Sequence, residues 1–226
     1  MIPYVNIYNI SKNLIILNTF SKVIYKFPEL DKYDDDVKFN MYRSLMCLIF
    51  TILSFYCFTK HLKMGYTFPF EYHTPEFSEL LELFISYIIY DLYYMVKNNM
   101  GRKDLYIHHI FILIVTLLFV GSGYGAWLSS TIIFCEIISV VSGIDRIAMI
   151  ENNMRESMIY KKIRKNIIKF VRLPIWIILF LFITRYIGRL PNYIILTGYL
   201  TVFVMLNLDR YWEKKCDKVI NKYKSI

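Results

Sequence analysis

The chain is poor in acidic residues, in alanine and in targeting signals. Its 226 residues include 18 aspartates and glutamates against 27 lysines and arginines, which gives a net charge of +9. Alanine occurs twice and isoleucine 35 times, a usage typical of an A/T-rich genome. The N-terminus has no basic segment followed by an apolar run and a small-residue cleavage site, so we expect no cleaved signal peptide.

Cysteine is also scarce and scattered. Cys47, Cys57 and Cys135 lie in apolar segments and Cys216 lies in a basic tail, without any C-x-x-C spacing. This distribution argues against a disulfide framework and against a zinc site. We therefore predict neither a bound metal nor a resident cofactor.

Apolar residues are abundant, at 56% of the chain, and the mean hydropathy is +0.39. They occur in blocks with the charged residues between them, and such a chain is too hydrophobic to be disordered. The separation also argues against an ordinary nucleic-acid binder and indicates an all-α, multi-pass membrane helix bundle. A bilayer core of about 30 Å takes a helix of roughly 20 mostly apolar residues, and six segments qualify. The six predicted transmembrane helices are 41–60, 79–97, 105–122, 125–144, 167–188 and 192–210.

The basic residues give these spans an orientation. With six spans, 22 of the 27 lysines and arginines fall on the side that holds both termini. Lys60, Lys63, Arg185 and Arg189 fall on the other side, and Arg172 lies inside a span. Lysine and arginine collect on the cytosolic side of membrane proteins, so both termini are predicted to be cytosolic.

The N-terminal residues differ from the rest of the chain. Apolar side chains recur at helical spacing from Ile10 to Phe27 with lysines interspersed, and Pro28 ends the pattern. This pattern predicts a basic amphipathic helix that either lies on the cytosolic membrane surface or packs on the bundle. The predicted segments are an N-terminal segment 1–35 that ends in an acidic linker, a membrane domain 36–220 and a basic cytosolic tail 211–226.

Among the ionisable side chains of the predicted spans we single out five, because such groups are costly inside a membrane and indicate function by default. They are Asp91, His108, His109, Glu136 and Arg172. Counted from the span ends at about 1.5 Å per residue, all five lie roughly 5–10 Å from the cytosolic boundary. This agreement in depth predicts one polar site that opens toward the cytosol. The alternative is a buried network that fixes helix packing, with Arg172 paired to Asp91 or to Glu136.

The two histidines narrow the chemistry of such a site. Neighbouring residues on a helix point about 100° apart, so His108 and His109 do not both face one small ligand. The H-x-x-x-H and H-x-x-H-H spacings of di-iron membrane enzymes are absent, which argues against a metal site. A histidine can act as a base or as an acyl-carrying nucleophile, and Asp91 or Glu136 would orient its ring.

Three stretches together resemble the TLC domain, a family that includes ceramide synthases and the translocating-chain-associating membrane protein. They are DLYYM in the second span, DLYIHHIFILIVTLLF at the third and CEIIS in the fourth, and the resemblance covers about 36–220. It implies that His108 and His109 belong to an active site, as in the ceramide synthases, which join an acyl-CoA to a sphingoid-base amine. Those enzymes carry an HDxSD-like acidic cluster in the next span, whereas here Val140 follows Ser139. The chain is therefore more similar to the small non-synthase TLC proteins, which resemble membrane lipid regulators or trafficking factors.

Three functions remain open on this evidence. The first is a lipid-related role, in which the bundle holds a membrane lipid and Arg172 binds its headgroup. The second is an acyl-CoA-dependent N-acyltransferase with acyl-CoA as co-substrate, attracted by the basic cytosolic face. In that enzyme His108 or His109 would be the base or acyl carrier, and Glu136 and Asp91 would support it. The third is a channel, transporter or translocon-associated protein, although no inverted repeat and no broken helix pair is evident.

The partners expected from the sequence are membrane lipids. A second copy of the chain or another membrane protein is possible, and nucleic acid is not expected. The family resemblance implies the endoplasmic reticulum membrane. The A/T-rich codon usage is also typical of large DNA viruses, and for a viral source we expect a host membrane.

Overall fold

The computed structural model describes residues 6–63, 75–100, 103–122 and 126–224. Every regular element among these residues is helical, which confirms the all-α prediction. In chain order the α-helices are α1 (Ile7–Tyr25), α2 (Asp35–Lys63), α3 (Pro75–Lys97), α4 (Lys103–Ser122), α5 (Ala126–Phe134), α6 (Ile137–Ile150), α7 (Met154–Ile167), α8 (Leu173–Arg185) and α9 (Asn192–Lys224). A 3-10 turn, Pro28–Leu30, follows α1, and a π-helical turn, Ile168–Arg172, joins α7 to α8.

Three helical stretches are long and apolar enough to cross a membrane: Asp35–Lys60, Met154–Arg185 and Asn192–Lys222. They overlap the first, fifth and sixth predicted spans. The other three predicted spans also fall on helices, namely α3, α4 and the pair α5 and α6. Over the described residues, however, these helices are not both long enough and apolar enough to count as membrane spans. The membrane character is thus supported, and the full six-span bundle stays a prediction.

Several helices extend beyond the predicted spans. The connection predicted between spans four and five is helical from Met154 onward, and the predicted basic tail continues α9 to Lys224. Lysine, arginine and glutamate are good helix formers, and in both places they occur at spacings that suit a helix. A helix of 32 residues is about 48 Å long, whereas a bilayer core is about 30 Å thick.

The acidic stretch after α1 starts a helix and is not a linker throughout. The Asp34 carboxylate accepts a hydrogen bond from the Val37 N–H at 2.9 Å, which caps the first turn of α2. Asp35 and Asp36 lie in that turn, where negative charge is favourable beside the positive end of the helix dipole. A hydrophobicity pattern does not predict this helix start, because the start depends on a hydrogen bond from an acidic side chain.

The predicted N-terminal amphipathic helix is present as α1. Its Asn6 side chain caps the start by accepting from the Tyr8 N–H at 3.0 Å, and Pro28 follows its end. α1 packs on α3, where Ser21 Oγ and Tyr90 Oη are 2.6 Å apart. This contact agrees with a helix packed against its neighbours, and the placement on the cytosolic membrane surface stays a prediction.

Two asparagines in the left-handed conformation end helices and reverse the chain. Asn99, with φ of +49°, follows α3, and Asn152, with φ of +56°, follows α6. After Asn99 the Met100 N–H donates to the Met95 carbonyl at 3.0 Å, a bond that satisfies an otherwise open helix carbonyl. An equivalent bond follows Asn152. Each asparagine thereby permits a short turn between antiparallel helices.

Two of the predicted spans are irregular inside. The fourth is interrupted at Cys135 and Glu136, between α5 and α6. The fifth contains the π turn, in which the Leu173 N–H donates to the Ile168 carbonyl five residues back. Pro174 follows at once, and its missing N–H and bulky ring disturb the regular helical ladder. No sequence signal marks the first break, since Cys135 and Glu136 are not helix breakers.

The chain forms two compact units. The first comprises residues 1–33 and 49–134, and the second comprises residues 34–48 and 135–226. Within the second unit the start of α2 approaches α6 closely at Gly143. A Cβ atom there would lie 1.6 Å from Ser44 Oγ and 3.1 Å from the Asn40 carbonyl oxygen. Glycine is therefore required for this contact.

Candidate functional site

An acid and a histidine lie side by side inside the first unit. His109 Nδ1 is 2.7 Å from Asp91 Oδ2, and the two residues are 5% and 0% exposed. The distance is that of an ion pair, although Nδ1 makes no hydrogen bond of good geometry among the described residues. A carboxylate this close to a ring nitrogen requires a proton on that nitrogen, because two lone pairs would repel. The contact therefore favours the Nδ1-protonated ring and leaves Nε2 as the second nitrogen.

The α3–α4 hairpin places this pair. Asp91 lies six residues before the end of α3 at Lys97, and His109 lies six residues after the start of α4 at Lys103. Because the two helices are antiparallel neighbours in sequence, residues equally far from the turn meet at the same depth. The left-handed Asn99 follows the end of α3 at Lys97, on the side of the hairpin turn.

Buried apolar side chains flank the pair on its own two helices. Ile88 and Met95 lie one turn to either side of Asp91 on α3, and both are buried. Ile112, one turn after His109 on α4, is buried as well. Electrostatic interactions between buried groups are stronger than at a solvated surface, so the 2.7 Å contact between Asp91 and His109 is energetically significant.

His108 is buried next to His109, and the two rings have centroids 5.3 Å apart with an angle of 55° between their planes. The two ring planes are therefore tilted against each other. The contact with Asp91 is made by the ring of His109.

Glu136 lies in the second unit, at the interruption before α6. It is buried, and its Oε2 accepts from Ser139 Oγ at 3.0 Å and from Cys47 Sγ at 3.8 Å. Its position at the N-terminus of α6 places the carboxylate at the positive end of that helix. The serine that the sequence singled out beside Glu136 is thus one of its hydrogen-bond donors.

Arg172, the last residue of the π turn, is also in the second unit and is only 1% exposed. Its Nε donates to Asp209 Oδ1 at 2.8 Å, and one terminal nitrogen donates to the Cys135 carbonyl at 2.6 Å. The guanidinium lies 5.6 Å from the ring centroids of both Trp176 and Trp212. The hydrogen-bonded acid is therefore Asp209, and not Asp91 or Glu136 as the sequence alternative supposed.

Asp209 is the main residue that sequence reasoning missed. Its second oxygen accepts from Trp176 Nε1 at 2.8 Å, so one buried carboxylate joins α8 to α9 through two donors. Acids on α9 recur every four residues at Asp209, Glu213 and Asp217, and the last is 2.6 Å from Lys165 on α7. The basic residues of α7 and the π turn have the same four-residue spacing. This match was the sequence signal from which ion pairs between the two segments could have been predicted.

A second missed cluster closes the α6–α7 turn. Asp145 is buried and accepts from Ser157 Oγ at 2.7 Å and from Lys161 Nζ at 2.5 Å. It joins two helices that Asn152 connects. Because these neighbours lie in the same hairpin and satisfy its charge, we assign Asp145 a role in packing the two helices.

The five residues singled out from the sequence thus fall into two groups. Asp91, His108 and His109 lie in the first unit, and Glu136 and Arg172 lie in the second. The structure brings Asp91 to His109, and it brings Arg172 to the carbonyl of the residue before Glu136. Over the described residues no set of three or more His, Cys, Asp or Glu side chains is arranged to hold a metal ion. Comparison with known proteins adds no assignment: no family model, no curated protein and no solved structure matches the chain.

Chemically, the two groups differ. Arg172 is paired with Asp209 and donates to the Cys135 carbonyl, which suits a structural element, although its second terminal nitrogen Nη2 is buried without a hydrogen-bond partner among the described residues. The Asp91–His109 pair has the arrangement of an oriented base, in which a carboxylate holds one ring nitrogen and directs the other. The first unit therefore contains the better candidate for a functional site.

Proposed function

We propose that the chain is a multi-pass membrane protein that binds or handles lipids, as its resemblance to the TLC domain implies. The three long apolar stretches support a membrane location. So do the large apolar side chains on the outer faces of α8 and α9, where Ile177, Leu181, Leu196 and Phe203 are all exposed. Such faces suit contact with lipid chains.

The Asp91–His109 pair is the observation that carries the proposal. Acids and histidines in the apolar interior of a membrane protein are costly and occur mostly where a polar ligand or a proton must be handled. With Nδ1 held by the carboxylate, the ring presents Nε2 as an acceptor for a hydroxyl, amine or ammonium group. Sphingoid bases and other lipids carry such groups at the headgroup. The pair is therefore proposed to hold the polar end of a lipid.

A second candidate follows from the same contact, namely acyl transfer from acyl-CoA to a lipid amine. The amine nitrogen would attack the thioester carbonyl, and His109 Nε2 would accept the amine proton while Asp91 stabilises the ring cation. The C–S bond then breaks, the CoA thiolate leaves, and it takes the proton back from the ring. The products are an amide and free CoA, so atoms and charges balance.

One experiment distinguishes the two candidates. Purified protein is incubated with radiolabelled acyl-CoA and a sphingoid base, and lipids that co-purify are identified by mass spectrometry. The variants are His109→Ala and Asp91→Asn. The control is Ser86→Ala, which changes a buried residue on α3 whose hydroxyl donates to the Glu82 carbonyl at 2.6 Å within the helix.

The outcomes separate clearly. Amide formation that both site variants lose and Ser86→Ala retains supports the acyltransferase. No amide formation, together with a co-purified lipid that is lost in the two site variants alone, supports lipid binding without catalysis. If no lipid co-purifies and no amide forms with well-folded protein, the lipid-related role itself is wrong.

A further inference from the structure

The charged residues near the end of α9 lie on two different faces of the helix. The acids belong to the face that packs on the neighbouring helices. Asp209 is buried and pairs with Arg172. Lys165 Nζ on α7 lies 3.8 Å from Glu213 Oε1 and 2.6 Å from Asp217 Oδ1. Each acid of this segment therefore has a cation of the same unit as its partner.

The outer face of the same segment is basic. Seven residues from 210 to 222 are exposed, and apart from Tyr211 and Asn221 they are all lysine or arginine: Arg210, Lys214, Lys215, Lys218 and Lys222. We call these five residues the basic face of α9. Arg210, Lys214 and Lys218 make no hydrogen bond and no ion pair among the described residues. The charges of these three side chains are therefore not neutralised within the described part of the chain.

The ion pairs between the helices place the basic face near the membrane boundary. The sixth predicted span lies in the stretch Asn192–Lys222, which is long and apolar enough to cross a membrane, and it ends at residue 210. The fifth predicted span begins two residues after Lys165. Because Lys165 contacts Asp217 on α9, the two residues lie at a similar depth. The hydrocarbon boundary therefore crosses α9 between residues 210 and 217.

The headgroup layer next to this boundary covers the middle of the basic face. The polar layer on each side of a bilayer core is roughly 5–8 Å thick, which corresponds to about four or five residues of an α-helix. Lys214 therefore lies at the level of the headgroup layer, and Arg210 and Lys218 lie one turn to either side of it. Side chains of this length extend their charge over such a distance.

The lysines of the basic face are tilted toward the membrane. Side chains on an α-helix lean toward its N-terminus, which for this part of α9 is the direction of the predicted span. Lys215 Nζ accordingly lies 4.4 Å from the centroid of the Tyr211 ring, one turn nearer the span. Tyr211 is exposed, and tyrosine is enriched where a helix leaves a membrane. The same tilt brings the charge of Lys218 closer to the headgroups.

We propose that the basic face of α9 binds the headgroups of anionic phospholipids. Near an anionic membrane surface, each lysine or arginine strengthens binding roughly fivefold. An acidic protein segment carries the same charge, but lipid phosphates already occupy the layer at the level of Lys214, and a protein would have to displace them. The proposal rests on the membrane location in the proposed function and not on the Asp91–His109 pair.

The test measures the lipid preference of the full chain. The purified protein is reconstituted in phosphatidylcholine vesicles that contain a trace of spin-labelled phosphatidylserine or spin-labelled phosphatidylcholine. Electron paramagnetic resonance then gives the fraction of each label that is immobilised on the protein. We expect a several-fold preference for phosphatidylserine. Lys214→Gln with Lys218→Gln should reduce this preference at least about twofold, and Lys214→Arg with Lys218→Arg should keep it.

The matched control removes two charges elsewhere in the same unit. Arg155 and Lys162 are exposed on α7, lie farther from the predicted span than Lys165, and make no ion pair among the described residues. Arg155→Gln with Lys162→Gln should keep the preference for phosphatidylserine. An equal loss in both glutamine pairs would assign the preference to net charge alone and overturn the basic face as its source.

Two further outcomes separate this proposal from the proposed function. If the protein immobilises both labels to the same extent, the basic face does not select anionic lipids, whereas the membrane location stands. If the protein immobilises neither label, the membrane location itself is wrong, and both proposals fail.

Discussion

Replacing Asp209 by alanine should destabilise the second unit more than any other loss of a single acid on α9. The carboxylate accepts from both Arg172 Nε and Trp176 Nε1, at 2.8 Å each. Its removal leaves a guanidinium buried without its counter-charge and an indole N–H without its acceptor. Breaking a buried pair in this way costs about 3–5 kcal/mol.

The expected effect is large enough for thermal unfolding to measure. For a chain of this size, 1 kcal/mol shifts Tm by roughly 2–4 °C, so Asp209→Ala should lower Tm by roughly 6–20 °C. The assay is unfolding of detergent-solubilised protein followed by circular dichroism. Asp217→Ala is the matched control on the same helix. Its carboxylate pairs with Lys165 but its side chain is 39% exposed, so the loss should be about 0–1 kcal/mol.

A double variant separates the charge from the packing. Arg172→Met with Asp209→Leu removes both charges and keeps most of the volume, and such replacements are often close to neutral. The double variant should therefore unfold at a higher temperature than Asp209→Ala. If Asp209→Ala costs no more than Asp217→Ala, the buried pair does not hold α8 to α9 and the reasoning fails.

Three further predictions concern the second unit, and each is measured by the same unfolding assay. Gly143→Val should cost at least about 1–3 kcal/mol, because its Cβ would overlap Ser44, and a cost near zero would refute the close approach of α2. Lys161→Met should cost about 1–3 kcal/mol, because the buried Asp145 keeps only the Ser157 hydroxyl and the more distant Arg164 at 3.9 Å, and no change would show that these two partners satisfy the acid. Asn152→Ala should cost about 1–2 kcal/mol, since alanine disfavours a φ of +56°, while Asn152→Gly should be tolerated.

The helix positions were largely predictable, because runs of apolar residues are a property of the sequence itself. Each of the six predicted spans falls mostly on helix among the described residues, apart from the break at Cys135 and Glu136 and the turn after Arg185. Their ends were harder to predict. Asp34 starts α2 through a side-chain cap, and charged residues continue α9 to Lys224, and neither effect is visible to a hydrophobicity pattern.

The candidate site was predictable in part. Asp91 and His109 were chosen because ionisable groups in a span are costly, and their contact follows from the antiparallel hairpin that joins them. The partner of Arg172 was missed because Asp209 is the second-to-last residue of its predicted span 192–210, where an acid is not costly and so does not indicate a functional site. Which side chains of two distant helices pair depends on how the helices pack, and a single sequence does not show that packing.

The length of the α7–α8 and α9 hairpin has a mechanical consequence. At about 48 Å, the helical stretch from Met154 exceeds the hydrocarbon layer by about 18 Å, and ion pairs such as Lys165 with Asp217 tie it to α9. The part of this hairpin that exceeds the hydrocarbon layer is therefore the part in which charged side chains, rather than apolar ones, hold the two helices together.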